Sequence, residues 1–501
     1  MKNRSNFCTT ALACLILGCM MLSACTSEAN PASTRAASTS IGTKPAAVQN
    51  PTVVPAAATT IALPRLSLQP GEYYFRLNGQ PSLLFSRNLG GGEEDDYYNF
   101  LDWSVSGGSR IVRIPLECFG MGFDANGEIN EAWAEKWEHV FDHAAADGIY
   151  VIPILAGWIQ WNNGSGASSW ASNPMNAANG GPARDPLEFF QAGSTTQIRY
   201  LSWMEKLVKR WKDRPNILAW EIFSEVNMTP TTESDGTAFV NTAAARIRAA
   251  DPSGRLITAS LANSGTWPDF YARANIDFIQ THPYPVSGQL DRDLVMWVHK
   301  LLAAYLRPVM IGESGISAAT PDSSSGNLIV AKNAEHGIRH AIWAGVVSGA
   351  MNARALWWED GFGIYFRPAL GMAWLRQYST EEQPAANFTS GVDFSGFKPI
   401  QSTPSPAIWG AVVGNDSRML GWFRDAASEP PDWKVQTLSG QSVILNPPGS
   451  AATWKVDFYD TTSGTKIIAS TQVSRSGNGL MIKLPAFTDD IAFKMTAVAG
   501  N

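Results

Sequence analysis

An alternation of short apolar runs with longer amphipathic stretches, between residues 63 and 378, is the strongest constraint on the fold. Apolar runs of this length predict buried strands, and the amphipathic stretches predict helices. Eight runs read as strands: SLLFSRN, SRIVRIPL, IYVIPIL, ILAWEIFSE, RLITASL, IDFIQTHPY, PVMIGES and ARALWWED. Eight strand–helix units in this order predict an α/β fold, a (β/α)8 TIM barrel. The alternative is an open doubly wound sheet, although NLGGGEEDD after the first strand leads into acidic residues that would repel phosphate.

The character of the chain changes over residues 379–501. A segment rich in Pro, Gly and Ser comes first, followed by short alternating runs: MLGWFRD, QSVILN, TWKVDFYD, GLMIKLP and IAFKMTAV. The DTTSG segment between two alternating runs reads as a hairpin loop. These features predict a small C-terminal β-sandwich.

The first 62 residues predict export rather than fold. Lys2 and Arg4 precede an apolar core, TTALACLILGCMML, and then LSAC, which resembles the lipobox of bacterial lipoproteins. The resemblance implies a signal peptide over residues 1–25 and lipidation of Cys25, with an ordinary secretory signal as the alternative. Residues 26–62, rich in Ala, Thr, Ser and Pro, predict a flexible tether. We therefore expect anchoring to the bacterial envelope, at the outer membrane in a Gram-negative source.

Composition excludes several classes of function. The formal net charge of −6 argues against a nucleic-acid partner, which would require a basic face. Of five Cys, three lie in the signal peptide and Cys25 is the lipidation site, so Cys118 remains alone. The mature chain therefore has no intramolecular disulfide and no Cys-based metal site. Nineteen Trp are compatible with a cleft whose flat apolar faces hold sugar rings.

Polar residues stand at the carboxyl ends of several predicted barrel strands, where the reactive groups of such barrels lie. Strand 4 ends at Glu225, strand 7 ends at Glu313, and strand 6 ends in His282 and Tyr284. Arg113 lies on strand 2. Two carboxyl groups from different strands, near Trp and Tyr, are typical of glycoside hydrolysis. One carboxyl group protonates the leaving oxygen, and the other attacks the anomeric carbon or activates water.

These motifs, in this order along the barrel, resemble those of clan A of the glycoside hydrolases, in particular family 5, the cellulase and mannanase family. The resemblance implies that Glu225, in WEIFSE, is the acid/base and that Glu313, in VMIGESG, is the nucleophile of a retaining hydrolase. It implies substrate binding by Arg113, His282, Tyr284 and Trp358, with Trp357 as a competing candidate for the last position.

Two departures from the family leave the sugar open. Ser224 stands directly before the acid/base, where the clan usually has an Asn that binds the sugar 2-hydroxyl. The strand-3 segment IPILAGW also lacks the His that many members carry. Some mannan-active members of the clan lack the Asn as well. Mannan-type and glucan-type β-linked substrates are both expected, with no cofactor and no metal. The oligomeric state stays open.

Each candidate has a structural alternative. Glu225 and Glu313 could cap the helices that follow them, on a barrel that binds glycans without cleaving them. Glu221 points the same way as Glu225 but deeper, so we expect it to be a buried ion-pair partner of an Arg such as Arg113. The i, i+4 pairs His139/His143 and His336/His340 are expected to be surface or packing residues rather than zinc ligands.

Several Trp have two possible roles. Trp158 and Trp161, in the long loop after strand 3, could stack on sugars or pin the loop to the barrel. The C-terminal domain could bind carbohydrate through exposed Trp409, Trp422 or Trp454, or pack on the barrel as a structural domain. The alternating pattern around Trp454 favours the structural role.

Overall fold

The computed structural model describes residues 63–162, 168–262, 264–285, 289–315, 334–355, 380–430, 432–477 and 479–498. A short hairpin opens this part of the chain and is followed by eight parallel strands, all of them largely buried. The strands are β1 (Phe75–Leu77) and β2 (Gln80–Ser82) of the hairpin, then β3 (Leu84–Asn88), β4 (Ile111–Pro115), β5 (Tyr150–Ile154), β6 (Ala219–Glu221), β7 (Leu256–Thr258), β8 (Ile279–Thr281), β9 (Val309–Ile311) and β10 (Asn352–Arg354).

The eight strands form a curled sheet that agrees with the predicted (β/α)8 barrel. Six strands are hydrogen-bonded in the order β10-β3-β4-β5-β6-β7, and β8 pairs with β9. Two backbone hydrogen bonds join the sets: the Asp277 N–H donates to the Ile257 carbonyl at 2.8 Å, and the Met351 N–H donates to the Val309 carbonyl at 2.9 Å. All the carboxyl ends therefore lie on one face.

Helices surround the sheet in the alternation that the sequence predicts. Several begin at a side chain that accepts a hydrogen bond from the first turn, as Asn130, Ser194 and Thr232 do. The helices are α1 (Glu94–Gly107), α2 (Glu131–Ala146), α3 (Thr195–Trp211), α4 (Glu233–Ala250), α5 (Phe270–Arg273), α6 (Leu290–Tyr305) and α7 (Ala334–Val347). Within the described residues, no helix is long and apolar enough to cross a membrane.

The C-terminal region is built from antiparallel sheets, as predicted. A six-stranded sheet has the order β11-β13-β14-β21-β17-β18, and β12-β16-β19 and β15-β20 form smaller sheets. Apolar side chains of the six- and three-stranded sheets share one core, the arrangement of a small β-sandwich. The elements are α8 (Gln383–Thr389), β11 (Lys398–Pro399), β12 (Ser402–Pro404), β13 (Ile408–Gly414), β14 (Arg418–Asp425), β15 (Thr437–Leu438), β16 (Ser442–Leu445), β17 (Thr453–Tyr459), β18 (Ile467–Ser474), β19 (Leu480–Lys483), β20 (Phe487–Thr488) and β21 (Asp490–Ala497).

The sandwich packs on the barrel through helix α7. Trp343 of α7 and Trp422 of β14 belong to one buried core that spans both parts. Trp422 and Trp454 are fully buried, and the guanidinium groups of Arg292 and Arg424 lie 4.9 and 5.3 Å from the ring centre of half-buried Trp409. These Trp contribute to packing, which favours the structural role of the sandwich.

Candidate active site

The carboxyl face of the barrel brings together most of the predicted site residues. Both candidate catalytic carboxyl groups are buried, with Glu225 2% and Glu313 5% exposed. Trp358 and its competitor Trp357 lie outside the described residues. The residues that converge are Arg113 on β4, Ser224 and Glu225 after β6, His282 and Tyr284 after β8, and Glu313 after β9.

His282 lies between the two carboxyl groups. Its Nδ1 atom is 2.9 Å from Oε1 of Glu225 and 3.7 Å from Oε2 of Glu313. An oxygen of each carboxyl group and a ring nitrogen of His282 all lie within 4.8 Å of one another. Retaining glycosidases hold their two carboxyl groups about 5–5.5 Å apart, and inverting enzymes about 6.5–9.5 Å. The close approach is therefore compatible with direct attack by one carboxylate and leaves little room for an intervening water.

The surroundings of Glu313 favour its ionised form. Nη1 of Arg113 donates to Oε1 at 2.5 Å, and the Tyr284 hydroxyl donates to Oε2 at 3.0 Å. Burial alone would raise the pKa of Glu313, but nearby His282 and Arg113, with these hydrogen bonds, hold the pKa below its ordinary value. These contacts therefore favour a negatively charged carboxylate at Glu313.

Glu225 has the opposite environment. Burial and the negative charge of Glu313 raise the pKa of Glu225 above its ordinary value, and His282 and Arg113 only partly oppose this. Two neighbouring carboxyl groups whose pKa values are driven apart are the pattern of an acid and a base. The surroundings thus shift the pKa values of Glu225 and Glu313 in opposite directions.

Arg113 links the two sides of the site. Its Nε and Nη2 atoms donate to the two oxygens of Glu221 at 2.6 and 2.7 Å, while Nη1 holds Glu313. Glu221 is completely buried, so the structure contains the deep ion pair that the sequence suggests. A two-point contact fixes the plane of the guanidinium group, which in turn orients Glu313.

Ser224 is tied to the same arginine. Nη2 of Arg113 donates to Ser224 Oγ at 2.7 Å, and the Ser224 N–H donates to the Ala156 carbonyl at 2.8 Å. The hydroxyl therefore uses a lone pair on Arg113 and keeps its own hydrogen for another acceptor.

Residue 225 adopts a left-handed backbone conformation, with φ 58° and ψ 47°. A non-glycine residue there costs about 1–3 kcal/mol unless its surroundings compensate. The Glu225 N–H donates to Ser260 Oγ at 3.0 Å, and that hydroxyl donates to Oε1 of Glu221 at 3.1 Å. Ser260 thereby supports the turn that carries the candidate proton donor.

The sequence reasoning missed three polar residues at this face. Ser260 follows β7, Asn88 ends β3, and Glu117 follows β4. Asn88 accepts from Nη1 of Arg113 at 3.2 Å and donates to the Gly312 carbonyl at 2.8 Å, which fixes the strand that leads to Glu313. The signal was present, because each is a polar residue at the carboxyl end of a barrel strand.

Trp161 does not have the exposed position that sugar stacking requires. It is fully buried and stacks on Phe189, with ring centres 3.8 Å apart and planes at 22°. It therefore pins the loop to the barrel, which is the second of the two roles considered from the sequence. Trp158 is 5% exposed, so a role for it in sugar binding stays a prediction.

Three groups of side chains in the described residues have atoms close enough to share a metal ion. In the group around Glu313, Arg113 and Tyr284 already donate hydrogen bonds to that carboxyl group. In the group around Asp489, Arg339 donates a hydrogen bond to Asp489. A cation at either place would have to displace or face a guanidinium group. The groups are Glu225–His282–Glu313, His336–His340–Asp489 and Asp102–His143–Asp147.

Two facing carboxyl groups at the carboxyl face of a curled parallel sheet are the arrangement found in barrel glycoside hydrolases. The family model described as Cellulase (glycosyl hydrolase family 5) matches residues 78–346, more than half of the chain. The chain therefore belongs to glycoside hydrolase family 5 and is a glycoside hydrolase.

Solved structures agree on the fold. One described as a glycoside hydrolase has a TM-score of 0.58 and 13% sequence identity, with 87% of this chain and 98% of that chain covered. A glycoside hydrolase family 5 protein from Bacteroides vulgatus ATCC 8482 has a TM-score of 0.55 and 15% identity, with 87% and 94% covered. Among curated proteins, no sequence matches this chain.

Proposed function

We propose that this chain is a retaining hydrolase of β-linked polysaccharides or oligosaccharides, of mannan or glucan type. Glu225 is the acid/base and Glu313 is the nucleophile. The observation that carries the proposal is the position of His282 beside two buried carboxyl groups within 4.8 Å, of which Glu313 alone is paired with the guanidinium group of Arg113. Two steps follow from it.

In the first step, the Glu313 carboxylate attacks the anomeric carbon while Glu225 donates its proton to the glycosidic oxygen. The glycosidic bond breaks, the alcohol leaves, and a glycosyl ester forms on Glu313. Loss of charge from Glu313 removes one of the two causes that raise the pKa of Glu225, the other and larger being burial, so the pKa of Glu225 falls during this step. Glu225 becomes the base that the second step needs.

In the second step, Glu225 removes a proton from water, and the water oxygen attacks the anomeric carbon. The ester bond breaks and the Glu313 carboxylate returns to its contacts with Arg113 and Tyr284. Two displacements at one carbon restore the original configuration. Arg113 and Tyr284 stabilise the leaving carboxylate in this step.

Mannan and glucan differ in the direction of the 2-hydroxyl group of the sugar ring. Ser224 occupies the sequence position of the Asn that usually binds this hydroxyl group. The Ser224 hydroxyl is shorter than an amide and has a hydrogen to donate. A contact made by this shorter side chain would differ from the usual contact with an equatorial 2-hydroxyl group. This supports mannan-type substrates, whose 2-hydroxyl group is axial, and glucans stay the second candidate.

Retention is the outcome that tests the proposal. We expect the protein to release oligosaccharides from at least one of mannan, glucomannan and β-1,4-glucan, as read by chromatography. Proton NMR in the first minutes should show the β-anomer of the new reducing end before mutarotation. Initial formation of the α-anomer would contradict the double displacement and assign Glu313 the role of a base.

We also propose that the enzyme is anchored to the bacterial envelope through a lipid on Cys25, which the LSAC segment supports. Cells that express the full chain should incorporate labelled palmitate into the protein and retain it in the membrane fraction. The Cys25→Ala variant should lose the label and become extractable without detergent. Equal labelling of both proteins would contradict a lipid at Cys25.

A further inference from the structure

Glu117 is a further buried carboxyl group at the carboxyl face of the barrel, besides Glu221, Glu225 and Glu313. It follows β4 in the short 3-10 turn Leu116–Phe119 and is 6% exposed. Neither the acid/base nor the nucleophile role uses it. A carboxyl group is costly to bury without compensation, so its presence at this face needs a physical reason.

The backbone leaves a place for this carboxyl group. Oε1 of Glu117 occupies the space in which a Cβ atom of residue 157 would stand, so any other residue there would have to push the carboxyl group aside. Gly157 pairs with Ser224 of the next strand through a β-bridge. Neighbouring strands lie about 4.8 Å apart, so the Glu117 carboxyl group is next to the turn that carries Ser224 and Glu225.

The carboxyl group is also incompletely satisfied. Oε2 of Glu117 is buried, and no hydrogen-bond donor reaches it from any part of the chain that the structure describes. Arg113, whose positive charge acts on it, is already engaged with Glu221 and Glu313. A buried oxygen without a donor is unfavourable, whereas the same oxygen beside a bound sugar would gain a hydroxyl donor.

We propose that Glu117 is a substrate-binding residue whose Oε2 accepts a hydrogen bond from a hydroxyl group of the sugar ring held between Glu225 and Glu313. This rests on the proposed function of that pair. Glu117 and Ser224 then line the same side of the sugar, with one acceptor and one donor available. Burial raises the pKa of Glu117 to about 7, so the ionised form of this acceptor predominates above neutral pH.

Binding of disaccharides without hydrolysis tests this inference separately from catalysis. The parent protein carries Glu225→Gln, which removes the acid/base, and mannobiose and cellobiose are titrated into it by calorimetry at pH 8. We expect Glu117→Ala to weaken binding of the better-bound disaccharide about tenfold, a factor in keeping with the loss of a hydrogen bond to a charged group. Glu117→Gln, which keeps an acceptor oxygen, should weaken it about threefold.

Two further variants keep the test sharp. Gly157→Ala pushes the carboxyl group aside without changing its chemistry and should weaken binding in the same direction as Glu117→Ala. Glu135→Gln, at an exposed position of α2, is the matched control and should bind like the parent. If Glu117→Ala does not fold, as judged by its melting transition, Glu117→Gln carries the test.

Equal binding by the parent and the Glu117 variants would overturn the inference, and so would failure of both disaccharides to bind the parent at millimolar concentration. The proposed function fails on a different result, namely the absence of retaining hydrolysis by the unmodified protein. A protein that binds but does not hydrolyse would therefore leave the role of Glu117 standing and remove that of the catalytic pair.

Discussion

Replacement of Glu313 by alanine is expected to lower kcat/KM for β-glycoside hydrolysis by at least about 10⁴-fold, or about 5 kcal/mol of transition-state stabilisation. The variant lacks the atom that forms the glycosyl ester, so the two-step route is closed. Arg113 keeps its two contacts with Glu221, and the fold should persist. Release of dinitrophenolate from 2,4-dinitrophenyl β-mannoside and β-cellobioside gives the measurement, with Glu135→Gln as the control.

A small anion should partly restore the reaction of Glu313→Ala. Azide can enter the space beside Arg113 and attack the anomeric carbon from the same side as the lost carboxylate, which gives an α-glycosyl azide by one displacement. Full activity of Glu313→Ala without azide would show that another residue is the nucleophile. Glycan binding by the unmodified protein, with no hydrolysis of any substrate, would instead favour a barrel that only binds.

The barrel could be predicted because its strands are largely buried and most of them lie in apolar runs. Seven of the eight predicted runs contain an observed strand, and the eighth, ARALWWED, overlaps β10 at Ala353 and Arg354. β13 of the sandwich was missed because its sequence contains glycines. Gly410 and Gly414 lie so close to β14 that a Cβ atom would meet backbone, so close strand packing replaces the usual β-branched pattern there.

The sequence could predict those site residues that stand at the carboxyl ends of strands. Glu221 and Glu225 share a strand direction, but only Glu225 lies beyond the last paired residue, where the chain turns at φ 58°. The supporting contacts could not be predicted, because they join residues far apart in sequence. Ser260, for example, reaches both acids from the neighbouring strand.

The sequence also could not show which aromatic residues of a loop are buried. The loop after β5 is rich in Trp, a composition equally compatible with sugar stacking and with packing. Trp161 turns out to lie between Phe189 and Tyr200, against the barrel. The local sequence of a loop does not indicate which of its side chains pack against a helix thirty or more positions away. Only the tertiary contacts show which Trp is buried.

Replacement of Glu225 by glutamine has the second large effect, and its size depends on the leaving group. For an unactivated β-glycoside the loss of proton donation is expected to reduce kcat/KM by about 10²–10⁴-fold. For a 2,4-dinitrophenyl glycoside the leaving group needs no proton, so the first step should be nearly unchanged. The second step lacks its base, so a burst of dinitrophenolate should precede slow turnover.

The pH dependence of the unmodified enzyme provides an independent check on Glu225. Activity requires Glu313 ionised and Glu225 protonated. Because the pKa of Glu313 is lowered and that of Glu225 is raised, kcat/KM should fall on the acid side as Glu313 gains its proton and on the alkaline side as Glu225 loses its own. Glu225→Gln should remove the alkaline fall for the unactivated substrate, at its much lower rate, and keep the acid one. If the alkaline fall persists unchanged in this variant, or if poor and good leaving groups lose activity equally, Glu225 is not the proton donor.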